Sequence, residues 1–385
     1  MCVYRKLLIV LGLGISGSAS AGSLVVIGGA LESENAPIYE SVIDGARGKS
    51  ICVLGTASAE PAESAASYVK DFRGYGAEAE AVDITVDNAN VSTQDAGILG
   101  QLEGCGGYFF VGGDQNRITE ALLTPTGDTP AIATIRGAYK RGAVVAGTSA
   151  GAAMMSRVMI GGGTSLDTLT GGPDDVLLTE GLGFEDNAIF DQHFVERGRL
   201  GRLVGALVRS DLTLGAGVGE DTALVVSEEG SWHVVGSGHV VILELDAGVS
   251  LENVSGVNVS FLADGDAFDP VTRAFSIADT REDVLEVGYY YDPGPIFSVD
   301  VFGPGVLADL AEQLVDSPEN EASGLAFGGE PTPRFTSDGL RLVLAKRPDT
   351  VGYWGDLDVG EGYSIVHLGL RTSPITVTVA PAAAP

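Results

Sequence analysis

The sequence predicts an α/β fold in which a parallel β-sheet carries helices on both faces. Short apolar segments alternate with amphipathic segments from residue 23 to about residue 220, a pattern typical of strands joined by helices. The apolar segments are rich in Val, Ile and Phe, which fits strands buried on both faces. After Thr222 short strands follow one another through Gly-containing turns, which predicts antiparallel strands at one edge of the sheet.

The elements can be assigned in chain order. The predicted strands are residues 24–27, 51–54, 79–84, 108–111, 143–146 and 188–190, followed by the antiparallel strands 223–227, 232–235 and 239–245. The predicted helices between them are residues 62–73, 118–123 and 131–140. We expect one domain over residues 22–275 and a small C-terminal α+β appendage over residues 276–385, with a helix at 306–315.

The first residues predict a secretory signal peptide over residues 1–21. Arg5 and Lys6 form a positive region, residues 7–15 are apolar, and small residues end at Ala21. We expect cleavage after Ala21 and a secreted protein, either periplasmic or extracellular. No later stretch reaches the roughly 18 uninterrupted apolar residues that a membrane-spanning helix needs, so no membrane anchor is expected.

The chain is strongly acidic. Its 22 Lys and Arg residues stand against 52 Asp and Glu residues, which gives a net charge of -30. Such a charge repels phosphate backbones, so we expect no nucleic-acid partner. Solubility or life in salty water is favoured over substrate attraction as the reason for it. The oligomeric state is left open, a homodimer included.

The two cysteines that follow the signal peptide are Cys52 and Cys105. An exported pair could form a disulfide. Both residues lie in apolar strand-like segments, however, where small buried thiols are common. We therefore expect two buried thiols.

A candidate nucleophile lies in Gly147-Thr148-Ser149-Ala150-Gly151, between the strand 143–146 and a helix-like run over residues 152–159. This is the G-x-S-x-G nucleophile elbow in its usual strand-turn-helix context, where small neighbours permit a sharp turn. The alternative is a Gly-rich turn with a capping serine. We predict that Ser149 is a nucleophile.

A serine nucleophile needs a base, and the chain has four histidines. His193 follows the strand 188–190, and ligands of open α/β sheets bind outside the carboxyl ends of strands. His233 and His239 fall in turn-linked strands, and His367 falls in the appendage. Glu220 follows another apolar run and is a candidate for the carboxylate that orients the base, with Asp191 as its competitor. With one plausible His ligand and no Cys/His cluster, neither a metal nor an organic cofactor is expected.

Four motifs, taken together and in this order, resemble the cyanophycinase family of serine peptidases, which are related to the aspartyl dipeptidases. They are Gly112-Gly113-Asp114-Gln115, Gly147-Thr148-Ser149-Ala150-Gly151-Ala152, Asp191-Gln192-His193-Phe194 with the arginines that follow it, and Gly217-Val218-Gly219-Glu220-Asp221-Thr222-Ala223. The resemblance covers roughly residues 23–275. It departs from the family pattern at Gly219, where Asp is common, and at Glu196, where Gln is common.

The resemblance implies a parallel-sheet sandwich of the class I glutamine amidotransferase-like, flavodoxin-like kind. It implies Ser149 as nucleophile, His193 as base and Glu220 as orienting carboxylate, with the N–H groups of Gly113 and Ala150 as an oxyanion hole. The residues that match the family's substrate pocket are Gln115, Asp191, Gln192, Arg197, Arg199 and Arg202. The arginines would bind carboxylates and Asp191 a guanidinium.

The implied substrate is cyanophycin, a poly-aspartate chain with arginine on its side-chain carboxylates, which would be cut to β-Asp-Arg dipeptides through an acyl-enzyme. One alternative is a peptidase similar to the aspartyl dipeptidases that acts on short Asp-containing or Arg-containing peptides. Another is a secreted binding protein without turnover. A glutamine amidotransferase relative is disfavoured, because Ser149 stands where such an enzyme has its cysteine.

Overall fold

The computed structural model describes residues 22–172, 174–252, 254–329, 335–357 and 360–379. The predicted signal peptide and its cleavage position lie outside these residues. Within the described ranges, no helix has the length and apolar character needed to cross a membrane.

The described chain forms strands and helices in alternation up to β12 and mainly strands afterwards. The strands are β1 Leu24–Ile27, β2 Ser50–Leu54, β3 Ala79–Val82, β4 Cys105–Phe110, β5 Leu123–Thr124, β6 Gly127–Asp128, β7 Val144–Thr148, β8 Val158–Gly162, β9 Leu177–Glu180, β10 Ile189–Gln192, β11 Leu214–Val218, β12 Thr222–Val226, β13 Trp232–Gly236, β14 Val240–Leu245, β15 Val257–Leu262, β16 Ala267–Asp269, β17 Ala274–Ser276, β18 Arg281–Asp283, β19 Ile296–Ser298, β20 Glu321–Phe327, β21 Phe335–Leu357 and β22 Gly360–Val379. The helices are α1 Ala36–Gly45, α2 Pro61–Gly74, α3 Ala89–Ser92, α4 Ala96–Gly104, α5 Gln115–Leu122, α6 Pro130–Tyr139, α7 Ala150–Ala153, α8 Ser165–Thr170, α9 Leu200–Ser210, α10 Val284–Val287 and α11 Val306–Val315.

The first large sheet has the strand order β17-β16-β13-β12-β1-β7-β4-β2-β3. Strands β1, β7, β4, β2 and β3 run parallel to one another. The remaining strands, β12, β13, β16 and β17, are antiparallel and continue the sheet on one side. The predicted α/β fold with antiparallel edge strands is therefore confirmed.

The second large sheet has the order β10-β11-β14-β15-β22-β21-β20-β19, with β18 paired to β21. The prediction of one antiparallel meander over residues 223–245 is wrong in part. Strands β12 and β13 form a hairpin in the first sheet, whereas β14 pairs with β11 in the second. Each of these strands has apolar residues for a sheet face, and the sequence pattern does not say which sheet supplies the neighbour.

Successive residues of β1 face two different cores, as the period of a strand requires. Leu24 and Val26 belong to a core that also contains Phe190 and Val218 of the second sheet. Val25 and Ile27 face the other side, where helices α1 and α2 pack. A third core lies on the far face of the second sheet, under helices α9 and α11. The two sheets thus face each other across a core to which helices α4, α5, α6 and α7 also contribute, and other helices pack on their outer faces.

The C-terminal segment contributes strands to the second sheet. Strand β22 pairs with β15, and β21 and β20 continue from it. The helix predicted at residues 306–315 coincides with α11. The predicted division into a domain at 22–275 and an appendage at 276–385 stays a prediction, but the two segments share one hydrogen-bonded sheet.

The expectation of two buried thiols is wrong. Cys52 and Cys105 form a disulfide between β2 and the start of the neighbouring strand β4. Both side chains are buried in apolar surroundings, as the sequence suggested. The pattern of residues could not reveal that the two strands are neighbours in the sheet, which is what brings the sulfur atoms together.

Candidate active site

Ser149 lies at a sharp turn between β7 and α7. Its backbone has φ 54° and ψ -110°, a conformation that residues other than glycine seldom adopt and that is found at nucleophile elbows. The flanking glycines are required by close packing: a Cβ on Gly147 would lie 2.4 Å from the carbonyl oxygen of Gly151. The helix predicted at residues 152–159 is wrong in extent, because α7 ends at Ala153 and β8 begins at Val158.

The side chain of His193 is the nearest base to this hydroxyl. Its Nε2 atom lies 2.9 Å from Oγ of Ser149, and its Nδ1 atom lies 2.5 Å from Oε1 of Glu220. Asp191, the competing carboxylate, makes its contacts elsewhere. The structure thus brings the three residues of the predicted triad into one hydrogen-bonded chain, in the order serine, histidine, glutamate.

The site lies where the ends of the two sheets meet. Ser149 follows β7 of the first sheet, whereas His193 and Glu220 follow β10 and β11 of the second. The backbone N–H of Ser149 donates to Ile27 O at 2.9 Å, and that of His193 donates to Gly28 O at 2.7 Å. The end of β1 therefore anchors both the serine and the histidine.

The pKa of the His193 imidazole is lowered from its ordinary 6.5. Burial is the largest cause, and the positive charges of Arg197 and Arg199 act in the same direction. The hydrogen bond and the negative charge of Glu220 oppose the shift. The ring is therefore neutral at pH 7, so that Nε2 can accept the serine proton.

The two predicted oxyanion donors lie beside the serine. Ala150 is the first residue of α7, where backbone N–H groups have no acceptor within the helix. The loop after β4 runs against the nucleophile, since a Cβ on Gly112 would lie 3.3 Å from Cβ of Ser149. Gly113 is the next residue of that loop. The assignment of the Gly113 and Ala150 N–H groups as the oxyanion hole stays a prediction, which the position of both residues next to the elbow supports.

Two glutamines of the predicted pocket are buried near the triad. The Oε1 atom of Gln192 lies 3.4 Å from Oγ of Ser149, farther than the His193 nitrogen. Gln115 donates from Nε2 to the carbonyl oxygen of Ile160 at 2.7 Å. The Gln192 side chain therefore contacts the nucleophile, and its contact with substrate stays a prediction, whereas the amide nitrogen of Gln115 is engaged within the protein.

Asp191 and Arg202 bind each other. Arg202 donates from Nε at 2.8 Å and from Nη2 at 2.5 Å to the two carboxylate oxygens of Asp191, and also from Nη1 to Gly163 O. The two residues are 1% and 5% exposed. Their charged atoms hold β10 to α9, and the expectation that the two residues contact substrate directly stays a prediction.

Arg197 and Arg199 occupy different environments. Arg199 donates from Nη1 to the carbonyl oxygen of Gln192 at 2.7 Å, and its side chain is mostly buried. Arg197 is exposed, and its charge acts on the His193 ring. Of the three arginines, Arg197 is the one whose guanidinium faces solvent beside the base.

Two features of the site were not predicted as functional. A Cβ on Gly29 would lie 2.2 Å from Cε1 of His193, so glycine is needed there for the ring to fit. Glu196 has a buried Oε2 without a hydrogen-bond partner among the described residues. Burial, and the negative charge of Glu220 beside it, raise the pKa of Glu196. The Gly28-Gly29 pair after β1 was the available signal for the first feature.

A group of three residues with metal-ligand side chains lies away from this site. Cys52, Glu80 and Cys105 have their ligand atoms close together. Both sulfur atoms belong to the disulfide, so neither is a thiolate that could bind a metal ion.

Comparison with known proteins shows which family the chain belongs to. The model of peptidase family S51 matches residues 24–234, more than half of the chain. The chain belongs to peptidase family S51. The resemblance to cyanophycinases drawn from the four motifs is confirmed, and the protein is a serine peptidase. The S51 match contains Ser149, His193 and Glu220 and ends in β13.

Curated relatives of this S51 peptidase carry the name cyanophycinase. The protein from Trichormus variabilis (strain ATCC 29413 / PCC 7937) is 37% identical over 231 residues, which is 59% of this chain and 74% of the relative. The protein from Synechococcus elongatus is 33% identical over 231 residues, which is 57% of this chain and 69% of the relative.

One solved structure is also similar. It is the crystal structure of a peptidase from an acI-B1 actinobacterium, with a TM-score of 0.49 and 21% sequence identity. The similarity covers 65% of this chain and 97% of the other.

Proposed function

We propose that this serine peptidase is exported and hydrolyses cyanophycin to β-Asp-Arg dipeptides, with Ser149 as nucleophile, His193 as general base and Glu220 as orienting carboxylate. The observation that carries the proposal is the chain of contacts from Ser149 Oγ to His193 Nε2 and from His193 Nδ1 to Glu220. The substrate is proposed because the curated relatives are named cyanophycinases.

In the first step His193 Nε2 takes the proton of the Ser149 hydroxyl, and Oγ attacks a main-chain carbonyl carbon of the poly-aspartate backbone. The neutral ring favoured by the lowered pKa of His193 is the form that can accept this proton. Glu220, at 2.5 Å from Nδ1, keeps the Nδ1–H tautomer and stabilises the imidazolium that forms.

Negative charge develops on the carbonyl oxygen as the tetrahedral intermediate forms. The N–H groups of Ala150 and Gly113 are proposed as the donors that stabilise it. Each such donor is worth about 10²–10³ in kcat in known enzymes. The protonated His193 then gives its proton to the leaving amine, and an acyl-enzyme on Ser149 remains.

Water completes the reaction. His193 takes a proton from the water, the hydroxide attacks the acyl carbon, and Ser149 Oγ leaves with the proton returned by His193. The released product is a dipeptide in which aspartate carries arginine on its side-chain carboxylate. No step of this mechanism requires a metal ion or an organic cofactor.

Arg197 is proposed as the residue that binds a carboxylate of the substrate. It is exposed beside the base, whereas Arg202 is occupied by Asp191. Gln192 offers its amide group 3.4 Å from the nucleophile, where an amide can hydrogen-bond to the peptide being cut.

Export is supported by two independent features. The sequence pattern of residues 1–21 is that of a secretory signal peptide. The Cys52–Cys105 disulfide suits an oxidising compartment outside the cytoplasm.

The test is to incubate the protein lacking residues 1–21 with insoluble cyanophycin granules and to identify the soluble products by mass spectrometry. We expect β-Asp-Arg dipeptide. Free arginine in its place would show cleavage of the side-chain isopeptide bond and contradict the mechanism. If granules give no product but short Asp-containing peptides are cleaved, the protein is a peptidase similar to the aspartyl dipeptidases. Absence of turnover on either substrate would favour a binding protein.

A further inference from the structure

A second cavity lies in the C-terminal half of the chain, outside the matched family region. Its volume is about 920 Å³, and its walls come from residues 237–239, 282, 284, 287–291, 312, 316, 354 and 362–363. The triad residues are not among the residues that line it. The S51 match ends at residue 234, so the cavity belongs to the part of the chain that the family does not describe.

The walls of this cavity combine aromatic rings with carboxylates. Tyr289, Tyr290, Tyr291, Trp354 and Tyr363 supply the rings, and Glu282, Glu312 and Asp316 supply the carboxylates. Among the described residues that line the cavity, only His239 has a side chain that can take up a positive charge.

The carboxylates differ in what they already bind. Asp316 accepts hydrogen bonds from the Tyr363 hydroxyl at 2.7 Å and from the Tyr290 backbone N–H at 2.9 Å, and so shapes the wall. Glu312 lies one turn earlier on α11, and its carboxylate is 3.9 Å from Nε2 of His239, an imidazole whose pKa is lowered by burial. Its side chain is 26% exposed. Burial and the negative charge of Asp309 raise its pKa to about 7.

The aromatic wall already accepts one cation of the chain itself. The ammonium group of Lys346 lies 4.9 Å from the centre of the Tyr289 ring and donates to Ser317 O at 2.6 Å. The Tyr290 side chain is 80% exposed and Trp354 is 37% exposed, so their rings remain accessible. An independent cation–π contact at the same wall thus indicates the kind of ligand that the wall accepts.

We propose that this cavity is an accessory site for guanidinium groups, which stack on the open aromatic rings and hydrogen-bond to Glu312. A guanidinium is planar, stacks on aromatic faces and donates to carboxylates in a bidentate fashion, which an ammonium cannot do. The identification of this ligand as an arginyl side chain of cyanophycin rests on the proposed function; guanidinium binding itself does not.

The cavity is joined to the triad by a few backbone contacts. The carbonyl oxygen of His239, in the cavity wall, accepts from the N–H of Gly219, the residue before Glu220. The N–H of Gly238 donates to the Thr222 hydroxyl, which in turn donates to the carbonyl oxygen of Glu220. The wall of the cavity is therefore next to the segment that carries Glu220. In the proposal for the polymer, one arginyl unit occupies the accessory site while another unit reaches Ser149.

The test measures binding of Nα-acetyl-L-arginine amide by calorimetry, at pH 8 so that Glu312 is ionised, with protein that carries Ser149→Ala. The citrulline analogue has the same shape without the charge and serves as the ligand control. We expect the arginine amide to bind and the citrulline amide to bind at least about tenfold more weakly.

Two variants locate that binding. Glu312→Gln should weaken it by about tenfold or more. Tyr290→Ala, at an exposed position where truncation leaves the fold intact, should weaken it by about two- to fivefold. Glu63→Gln removes a charge from the exposed face of α2 and should change nothing. Unchanged affinity in the Tyr290 and Glu312 variants, or equal binding of citrulline amide, would overturn the proposal; if Glu312→Gln does not fold, Tyr290→Ala decides alone.

Enzyme kinetics test separately whether the accessory site binds the polymer. Glu312→Gln should raise the apparent KM for granules by up to about tenfold, and more than it raises the KM for a soluble fragment of two units. The protein could bind arginine amide through Glu312 and yet not degrade cyanophycin. That result would support the accessory site and refute the proposed substrate. Degradation of cyanophycin without such binding would refute the site alone.

Discussion

The Nε2 atom of His193 lies 2.9 Å from Oγ of Ser149, although the two residues follow strands of different sheets. Both are held by the end of β1, because their backbone N–H groups donate to Ile27 O and Gly28 O. The backbone N–H of Asp221, next to Glu220, donates to Gly29 O at 2.9 Å. Backbone hydrogen bonds to the end of β1 therefore fix the distance between nucleophile and base. This distance does not depend on the side-chain contacts of the two residues alone.

The fall of kcat/KM at low pH, the acid limb of the pH profile, should follow the protonation of His193. Because the pKa of His193 is lowered, kcat/KM of the wild-type protein should fall only below the 6.5 of an ordinary histidine. Arg197→Gln removes a positive charge that disfavours the imidazolium, so the limb should move to higher pH. Arg157→Gln, at another exposed arginine, is the control and should leave the limb unmoved. A limb that stays in place in Arg197→Gln would contradict the electrostatic account of this base.

Gly29 should be essential for activity because of its contact with the base. A Cβ there would meet the His193 ring at 2.2 Å, so Gly29→Ala should displace the ring and lower kcat/KM by about 10²-fold or more. Gly48→Ala is the matched control: Gly48 also has a positive φ, of 73°, but an added Cβ meets nothing within 4 Å. Normal kinetics in Gly29→Ala would mean that the ring position is not fixed by this residue.

The main effect of replacing Arg202 should be a loss of protein stability. Arg202→Met leaves the Asp191 carboxylate buried without its partner, which costs about 3–5 kcal/mol of unfolding free energy. Arg209→Met breaks an ion pair on the surface of the same helix and should cost about 0–1 kcal/mol. Denaturant unfolding measures both. If Arg202→Met were as stable as wild type and only its KM had risen, Arg202 would be a direct substrate contact after all.

The disulfide should stabilise the fold and take no part in catalysis. It joins residues 53 positions apart, so Cys52→Ala with Cys105→Ala should lower the unfolding free energy by about 2–4 kcal/mol. The turnover number at 25 °C should be unchanged. Thiol titration of the unfolded, unreduced protein should find neither residue free, and detection of two thiols would contradict the bond.

The local pattern of the chain was sufficient for much of the fold. Strand β1 and helix α11 begin and end at the predicted residues, because β1 is one continuous apolar run and α11 has its buried residues at helical spacing. The predicted helix after Ser149 was too long, since the apolar residues up to 159 belong partly to β8. Short apolar runs do not distinguish a helix from a buried strand.

The site was predictable to the extent that motifs define it. Ser149, His193 and Glu220 were each assigned from a strand end and a family motif, and they lie in contact. Two relationships depend on tertiary packing that no local pattern contains. The disulfide depends on which strands become neighbours, and the pairing of Asp191 with Arg202 depends on how α9 packs against β10. A charged residue next to a motif therefore looks the same in the sequence whether it faces a substrate or another charge.

The most direct test of the central claim is the initial rate of β-Asp-Arg release from cyanophycin granules by the wild-type protein and by Ser149→Ala, measured side by side at pH 8. We expect release by the wild type and a rate lower by about 10⁴–10⁶-fold for Ser149→Ala, because the nucleophile is lost while the fold is kept. Release at comparable rates by both proteins would contradict the claim that Ser149 is the nucleophile of this peptidase.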